Sequence, residues 1–255
     1  MSTQEAFLSR IRRALQVPME ASHAGDGAAT WPASMPESAE AIRARLRLQR
    51  PALVSRLQDE LRAVGGQVVR VEAVAEATAY VAQLARACEA DLVVRWEDEL
   101  MKMLEVDATL QEQGVEVRAA GPPLEDAAAL AEQRRNLRDL LARADIGLSG
   151  ADYVIAETGT LVLSALPGQM RGVSLLPPVH VAVVRASQIV ATLADCLAML
   201  QEEGRADLPD RLTSCVSFIT GPSRTGDIEL SLTIGVHGPG ELHLVILDDP
   251  SDTET

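Results

Sequence analysis

The sequence predicts an α/β protein: a mainly parallel sheet flanked by helices, with a helical N-terminal extension. From Gly66 onward, short β-branched runs alternate with amphipathic helical stretches. That alternation marks right-handed crossovers between parallel strands. Apolar residues make up 47% of the 255 residues and aromatics only 2%, so the core is aliphatic. At this length roughly three-quarters of the unfolded surface can be buried, and no covalent staples are needed.

In chain order, "STQEAFLSRIRRALQVP" sets Phe7, Leu8, Ile11 and Leu15 on one stripe with Arg10, Arg12 and Arg13 largely off it. This predicts an amphipathic docking helix over 1–17. Residues 18–36, rich in Ala, Gly, Ser and Pro without a period, predict a flexible linker with Trp31 as its one anchor. The α/β domain is expected over 37–248. It opens with a helix from about Ser38 to Val64, interrupted or restarted at Pro51 and stopped at Gly65-Gly66.

"GQVVRV" then reads as a strand, "AEATAYVAQLARAC" as a helix and "ADLVVRW" as a strand. "EDELMKMLEVDATLQEQG" is helical, "VEVRAA" a strand and "LEDAAALAEQRRNLRDLLARA" helical again. "ADYVIAETGTLVLSAL" reads as a hairpin bent at Glu157–Thr160, inserted in the sheet or at its edge. "HVAVVRA" is a strand, "SQIVATLADCLAMLQEEG" a helix, "SCVSFITG" a strand and "ELHLVILDD" the last strand. An acidic tail, 249–255, is expected to fray.

A net charge of −14 argues against nucleic acid or an anionic membrane as the main partner. Arginine concentrates in residues 1–60 and carboxylates in 200–255, so any basic binding surface should come from the N-terminal helices. Cys88, Cys196 and Cys215 are far apart, and no C-x-x-C or Cys/His spacing exists. The chain is expected to hold no metal, cluster or flavin of its own and to keep reduced thiols in the cytoplasm. There is no leader-like apolar region and no run near the ~18 residues of a membrane span.

Four polar clusters break the aliphatic pattern. In "AETGT", Glu157 and Thr158 sit between apolar runs, so the carboxylate is solvated at the bend, partnered or protonated. In "PGQMRGVSLLPPVH", Arg171 stands in a Gly- and Pro-shaped loop suited to bidentate anion recognition, with Ser174 nearby. His180 there reads equally as a core or a functional histidine. In "SFITGPSRTGDIE", Ser223, Arg224 and Thr225 form either an anion-binding loop or a plain corner, with Asp227 and Glu229 as counter-ions to Arg224. Arg224 is expected to point into a polar pocket near Glu157 or Arg171. In "GVHGPGELH", His237 and His243 sit on different elements, which is weak spacing for a metal. No G-x-S-x-G, H-E-x-x-H or dinucleotide fingerprint occurs.

Together, "ADYVIAETGTLVL", "RGVSLLPPVHVAVV", "SFITGPSRTGDIE" and "GVHGPGELHLVIL" resemble the lactate utilization protein C family (LutC/YkgG), the single-domain LUD proteins. The resemblance implies the three-layer NagB/RpiA/CoA transferase-like architecture. It also implies a cytoplasmic bacterial protein acting with two iron–sulfur partners to oxidise L-lactate to pyruvate. The expected role is the non-cluster subunit, with the clusters on the partners and a small carboxylate as ligand. The alternative is an enzyme similar to CoA transferases or isomerases, acting on a small anion, with Glu157 as nucleophile in its "E-T-G" turn. Thr158 then stands where that family has Asn.

Overall fold

A computed structural model describes residues 37–120, 130–205, 215–226 and 232–249. The expected docking helix and linker lie outside these residues. Every element below belongs to the unit that begins at Ala39.

Helix α1, Ala39–Ala63, buries Ile42, Leu46, Leu53, Val54, Leu57 and Leu61 along one face. It runs through Pro51 without a break, which corrects the expected interruption. The ring costs one backbone hydrogen bond, but Pro51 is exposed, and the apolar stripe holds the turns on both sides of it. The helix ends as expected at Gly65, whose φ of 88° suits a left-handed cap. Gly66 N–H donates to Leu61 O and Gly65 N–H to Arg62 O, each at 2.9 Å, the bond pair of a Schellman motif.

Six strands form one parallel sheet in the order β1 (Gln67–Val71), β12 (Glu241–Leu247), β7 (Val179–Arg185), β4 (Ile146–Ser149), β2 (Leu92–Arg95), β3 (Glu116–Ala119). Central strands β2, β4, β7 and β12 are apolar and buried almost throughout, as a sheet covered on both faces requires. In register, Gly147, His180 and Leu242 lie side by side, and His243 falls on the opposite face by alternation. On the His243 face packs α2 (Val74–Ala87), through Tyr80. Across the His180 face runs a single 3-10 turn, Arg171–Ser174, whose Val173 carbonyl occupies the space a Cβ on Gly147 would need.

The helical stretch after β2 is split in two. Helix α3 (Glu99–Leu104) and α4 (Val106–Gln111) are separated by Glu105 at φ 49°. Helix α5 (Leu130–Arg143) precedes β4. The expected hairpin forms as β5 (Tyr153–Ile155) and β6 (Thr160–Ser164), but it belongs to a second sheet of order β8-β5-β6-β9. In that sheet β8 is Ile189–Val190 and β9 is Val216–Ile219. The helix expected from Ser187 starts only at Leu193, as α6 (Leu193–Arg205). Thr192 and Asp195 exchange side-chain-to-backbone bonds at 3.2 Å there, a capping box that fixes the start. A short hairpin, β10 (Arg224–Gly226) with β11 (Leu232–Ile234), completes the fold.

Candidate functional site

Open parallel sheets place ligands beyond the carboxyl ends of their strands, and a cavity of about 490 Å³ lies there. Trp96 and Asp98 enter it from the end of β2, Gly150 and Asp152 from β4, and Ser187 and Gln188 from beyond β7. One wall is helix α1, which contributes Arg43, Arg47 and Arg50. Their i, i+4, i+7 spacing puts all three on one helical face. Gln169 arrives on the Leu166–Met170 loop, which crosses the β2 exit. Glu97 N–H donates to Gly168 O at 2.9 Å, and Trp96 Nε1 donates to Met170 O at 3.0 Å.

Most polar atoms around the cavity are already engaged. Arg43 faces Glu202 at 3.5 Å, and Arg50 donates to Asp249 at 3.2 Å. Asp249, assigned to the fraying tail by sequence, is buried and also receives Ser187 N–H and Oγ–H at 2.7 and 3.0 Å. Gln188 spends its amide on the Ala151 and Asp152 carbonyls and on Arg185 N–H. Asp98 caps α3 through Oδ1, accepting from Met101 N–H at 2.8 Å. Among the described residues, the Arg47 guanidinium, Asp98 Oδ2 and the Gln169 amide make no hydrogen bond or ion pair. Of that amide, Oε1 is buried with no hydrogen bond among the described residues, and such an atom calls for an explanation.

The residues singled out from sequence gather elsewhere. Glu157 Oε1 accepts Leu193 N–H at 2.8 Å, so it caps α6, where a carboxylate suits the positive helix end. Thr158, Thr160 and Thr220 form a hydroxyl relay with 2.7 Å steps, tying the Glu157 bend to the strand end before Gly221. Arg224 Nη2 donates to Val64 O at 2.5 Å and lies against Gly65. Gly159 packs on the Glu60–Leu61 backbone and Gly221 on Val64 O. Two of the polar clusters therefore clamp the C-terminal end of α1. A third wraps the second: Ser223 N–H donates to Pro239 O at 2.8 Å and Gly235 N–H to Ser223 O at 2.9 Å. His237 is exposed on that turn.

Arg171 is also exposed and reaches Cys215 Sγ at 3.3 Å, while Ser174 Oγ donates to Arg171 O at 3.0 Å. Asp227, Glu229 and the Thr225 side chain lie outside the described residues. The expected grouping of Arg224 with Glu157 or Arg171 has no hydrogen bond or ion pair among the described residues; Arg224 engages the helix end instead. Nothing in the composition pointed to Gln169 or Asp98. The arginine wall did leave a signal, the excess of arginine in the first sixty residues.

The two strand histidines are core groups. His180 is fully buried, with Nε2 2.8 Å from Ser149 Oγ. Because Ser149 Oγ donates to Gly150 O at 2.8 Å, the hydroxyl must accept from His180. That makes Nε2 the protonated nitrogen and leaves Nδ1 without a partner. Burial, with His243 adding to it, pushes the His180 imidazole down to about 3. His243 is 2% exposed, bonded to Tyr80 at 2.8 Å and to Glu241 at 3.3 Å. Burial also lowers its pKa, with Glu241 opposing the shift. Among the described residues no group of three or more His, Cys, Asp or Glu could hold a metal ion, and no helix is long and apolar enough to cross a membrane.

The family described as LUD domain matches residues 54–247. The chain belongs to the LUD domain family. The matched LUD domain begins within α1, after the three cavity arginines. Lactate utilization protein C of Halalkalibacterium halodurans is 34% identical over 157 residues, spanning 62% of this chain and 63% of that protein. Lactate utilization protein C of Shouchella clausii is 40% identical over 109 residues, spanning 42% of this chain and 45% of that one. The matches thus span about half to two-thirds of these relatives' own length. A crystal structure of a DUF162 family protein from Deinococcus radiodurans is 25% identical, with a TM-score of 0.52. It covers 78% of this chain and 98% of its own, so the LUD domain fold described above is shared with it.

Proposed function

We propose that this LUD domain protein serves lactate utilisation as the subunit that binds a small carboxylate, while iron–sulfur partner subunits carry the electrons. Oxidation of L-lactate to pyruvate releases two electrons and two protons, which those partners would accept. The relatives named lactate utilization protein C support the process. The observation that carries the molecular role is the Arg47 guanidinium, without a partner among the described residues, at a cavity beyond the carboxyl ends of β2 and β4. A forked cation in a concave site suits a carboxylate. The protein is read as cytoplasmic, with no cluster of its own.

The test is complementation of a strain of the native host lacking this gene. Arg47 is exposed, so Arg47→Ala should accumulate as soluble, folded protein. It should nevertheless fail to restore growth on lactate while leaving growth on another carbon source unchanged. Full restoration by Arg47→Ala would remove the cavity from the function.

A further inference from the structure

We propose that the acidic segment following Asp249 docks back along helix α1, with Asp252 on Arg47 and Glu254 on Arg43, and so covers the arginine wall of the cavity. Two carboxylates of the same C-terminal run are already held by arginines. Arg70 Nε donates to Asp248 at 2.7 Å, and Arg50 Nη1 to Asp249 at 3.2 Å. Asp249 is buried and also receives Ser187, which lines the cavity. The run therefore leaves the described residues beside Arg50, at the cavity itself. Residues 250–255, "PSDTET", carry Asp252 and Glu254 and no basic residue. Arg47, one turn from Arg50, is exposed and has no partner among the described residues.

The tether supplies the reach. Asp252 stands three residues beyond Asp249, up to about 10 Å of extended chain, and Glu254 five residues, up to about 17 Å. Along α1, Arg47 lies about 4.5 Å and Arg43 about 10.5 Å from Arg50, so both fall within the span. Pro250 disfavours helical backbone at Asp249, which keeps the run extended as it leaves. Charge selects the surface. The chain carries −14 overall, so most of it repels an acidic segment, whereas Arg43, Arg47 and Arg50 share one helical face. Arg43 faces Glu202 at 3.5 Å, but both side chains are half exposed, and such a pair is weak enough to be shared. The arginines precede residue 54 and the acidic run follows residue 247, so both flank the matched LUD domain rather than belonging to it. The contact does not rest on the carboxylate reading, but a small carboxylate reaching Arg47 would have to displace Asp252.

The experiment is backbone amide relaxation by NMR on the full-length chain at low ionic strength. In the wild type the amides of Asp252, Thr253 and Glu254 should show order parameters above about 0.6, and in Arg47→Glu below that value. Asp252→Arg should free the segment likewise, and the double variant Arg47→Glu, Asp252→Arg should restore its order. Salt at about 1 M, where the Debye length is about 3 Å, should free the wild-type segment, which decides the matter even where a variant does not fold. A wild-type segment already below about 0.6 at low salt would overturn the contact and leave the arginines to an acidic partner or a small anion. A segment that stays ordered in Arg47→Glu, or that the charge swap fails to restore, would overturn it by revealing another anchor. L-lactate, added against sodium chloride of equal ionic strength, separates the contact from the carboxylate reading. Release by L-lactate alone supports both. A segment that Arg47→Glu frees but L-lactate leaves in place supports the contact and overturns carboxylate binding at Arg47.

Discussion

Lowering the pH from 8 to 5 should strip stability from this fold through His180 in particular. The imidazole is fully buried and its pKa is pushed down to about 3, against about 6.5 in an unfolded chain. A base whose folded pKa is depressed stabilises the fold fully above the unfolded value. That contribution is lost as the pH falls from about 6.5 towards about 3, because only the unfolded chain takes up the proton. At pH 5 the loss is RT ln(1 + 10^1.5), about 2 kcal/mol; it levels off near 5 kcal/mol below pH 3 at about 1.4 kcal/mol per unit. Other groups also titrate in this window, so the readout is a comparison. His180→Gln keeps an N–H for Ser149 but cannot ionise. Urea unfolding of both proteins at pH 8, 6 and 5 should show the wild type losing about 2 kcal/mol relative to the variant by pH 5. A constant difference across that range, or a folded-state His180 resonance titrating near 6.5, would refute the reasoning.

Gly147→Ala should yield little folded protein, because its Cβ would sit 1.9 Å from the Val173 carbonyl oxygen. The control is Gly114→Ala, which meets no atom within 4 Å but has φ 81° and should cost about 1 kcal/mol; similar melting of both variants would contradict this. Glu157→Gln keeps an acceptor for Leu193 N–H and should cost about 0.5 kcal/mol, whereas Glu157→Ala loses the cap and should cost about 1 kcal/mol. Equal urea midpoints for the two would show that the cap is idle. Arg224→Lys should lower the melting temperature slightly, for a loss under about 1.5 kcal/mol, and leave L-lactate affinity unchanged. A loss of binding without a loss of stability would return the anion site to the 221–226 loop.

The strands rich in Val, Ile and Leu were legible because two covered faces demand continuous apolar runs, as in "HVAVVRA" and "ELHLVILDD". The strand at Ile146–Ser149 is not legible in the sequence because Gly147 weakens its propensity, and only the turn crossing above it explains why glycine is there. Ile189–Val190 reads as the start of a helix until strand β5 pairs with it, a contact that local sequence does not encode. Polar residues embedded in glycine-rich loops were conspicuous in the sequence, yet many of their bonds serve helix ends and turns, as with Glu157 and Arg224. The cavity arginines were the reverse case. On a helix they look like ordinary solvated charge, and only the sheet edge opposite turns them into a wall.

Helix α1 has a consequence beyond its packing. At about 1.5 Å per residue, Arg47 lies roughly 25 Å along the axis from the Val64–Gly65 turn. The helix is pinned at that turn by Gly159, Gly221 and Arg224 and along its length by the buried face from Ile42 to Leu61. A fraction of a degree of play at that joint is harmless, whereas a tilt of about five degrees swings the arginine end by roughly 2 Å over that length. Two ångströms is the difference between a guanidinium within reach of a carboxylate and one left in water. The aim of the arginines is thus held at both ends of the rod, by that joint and by Arg45 on Asp195 and Arg50 on Asp249.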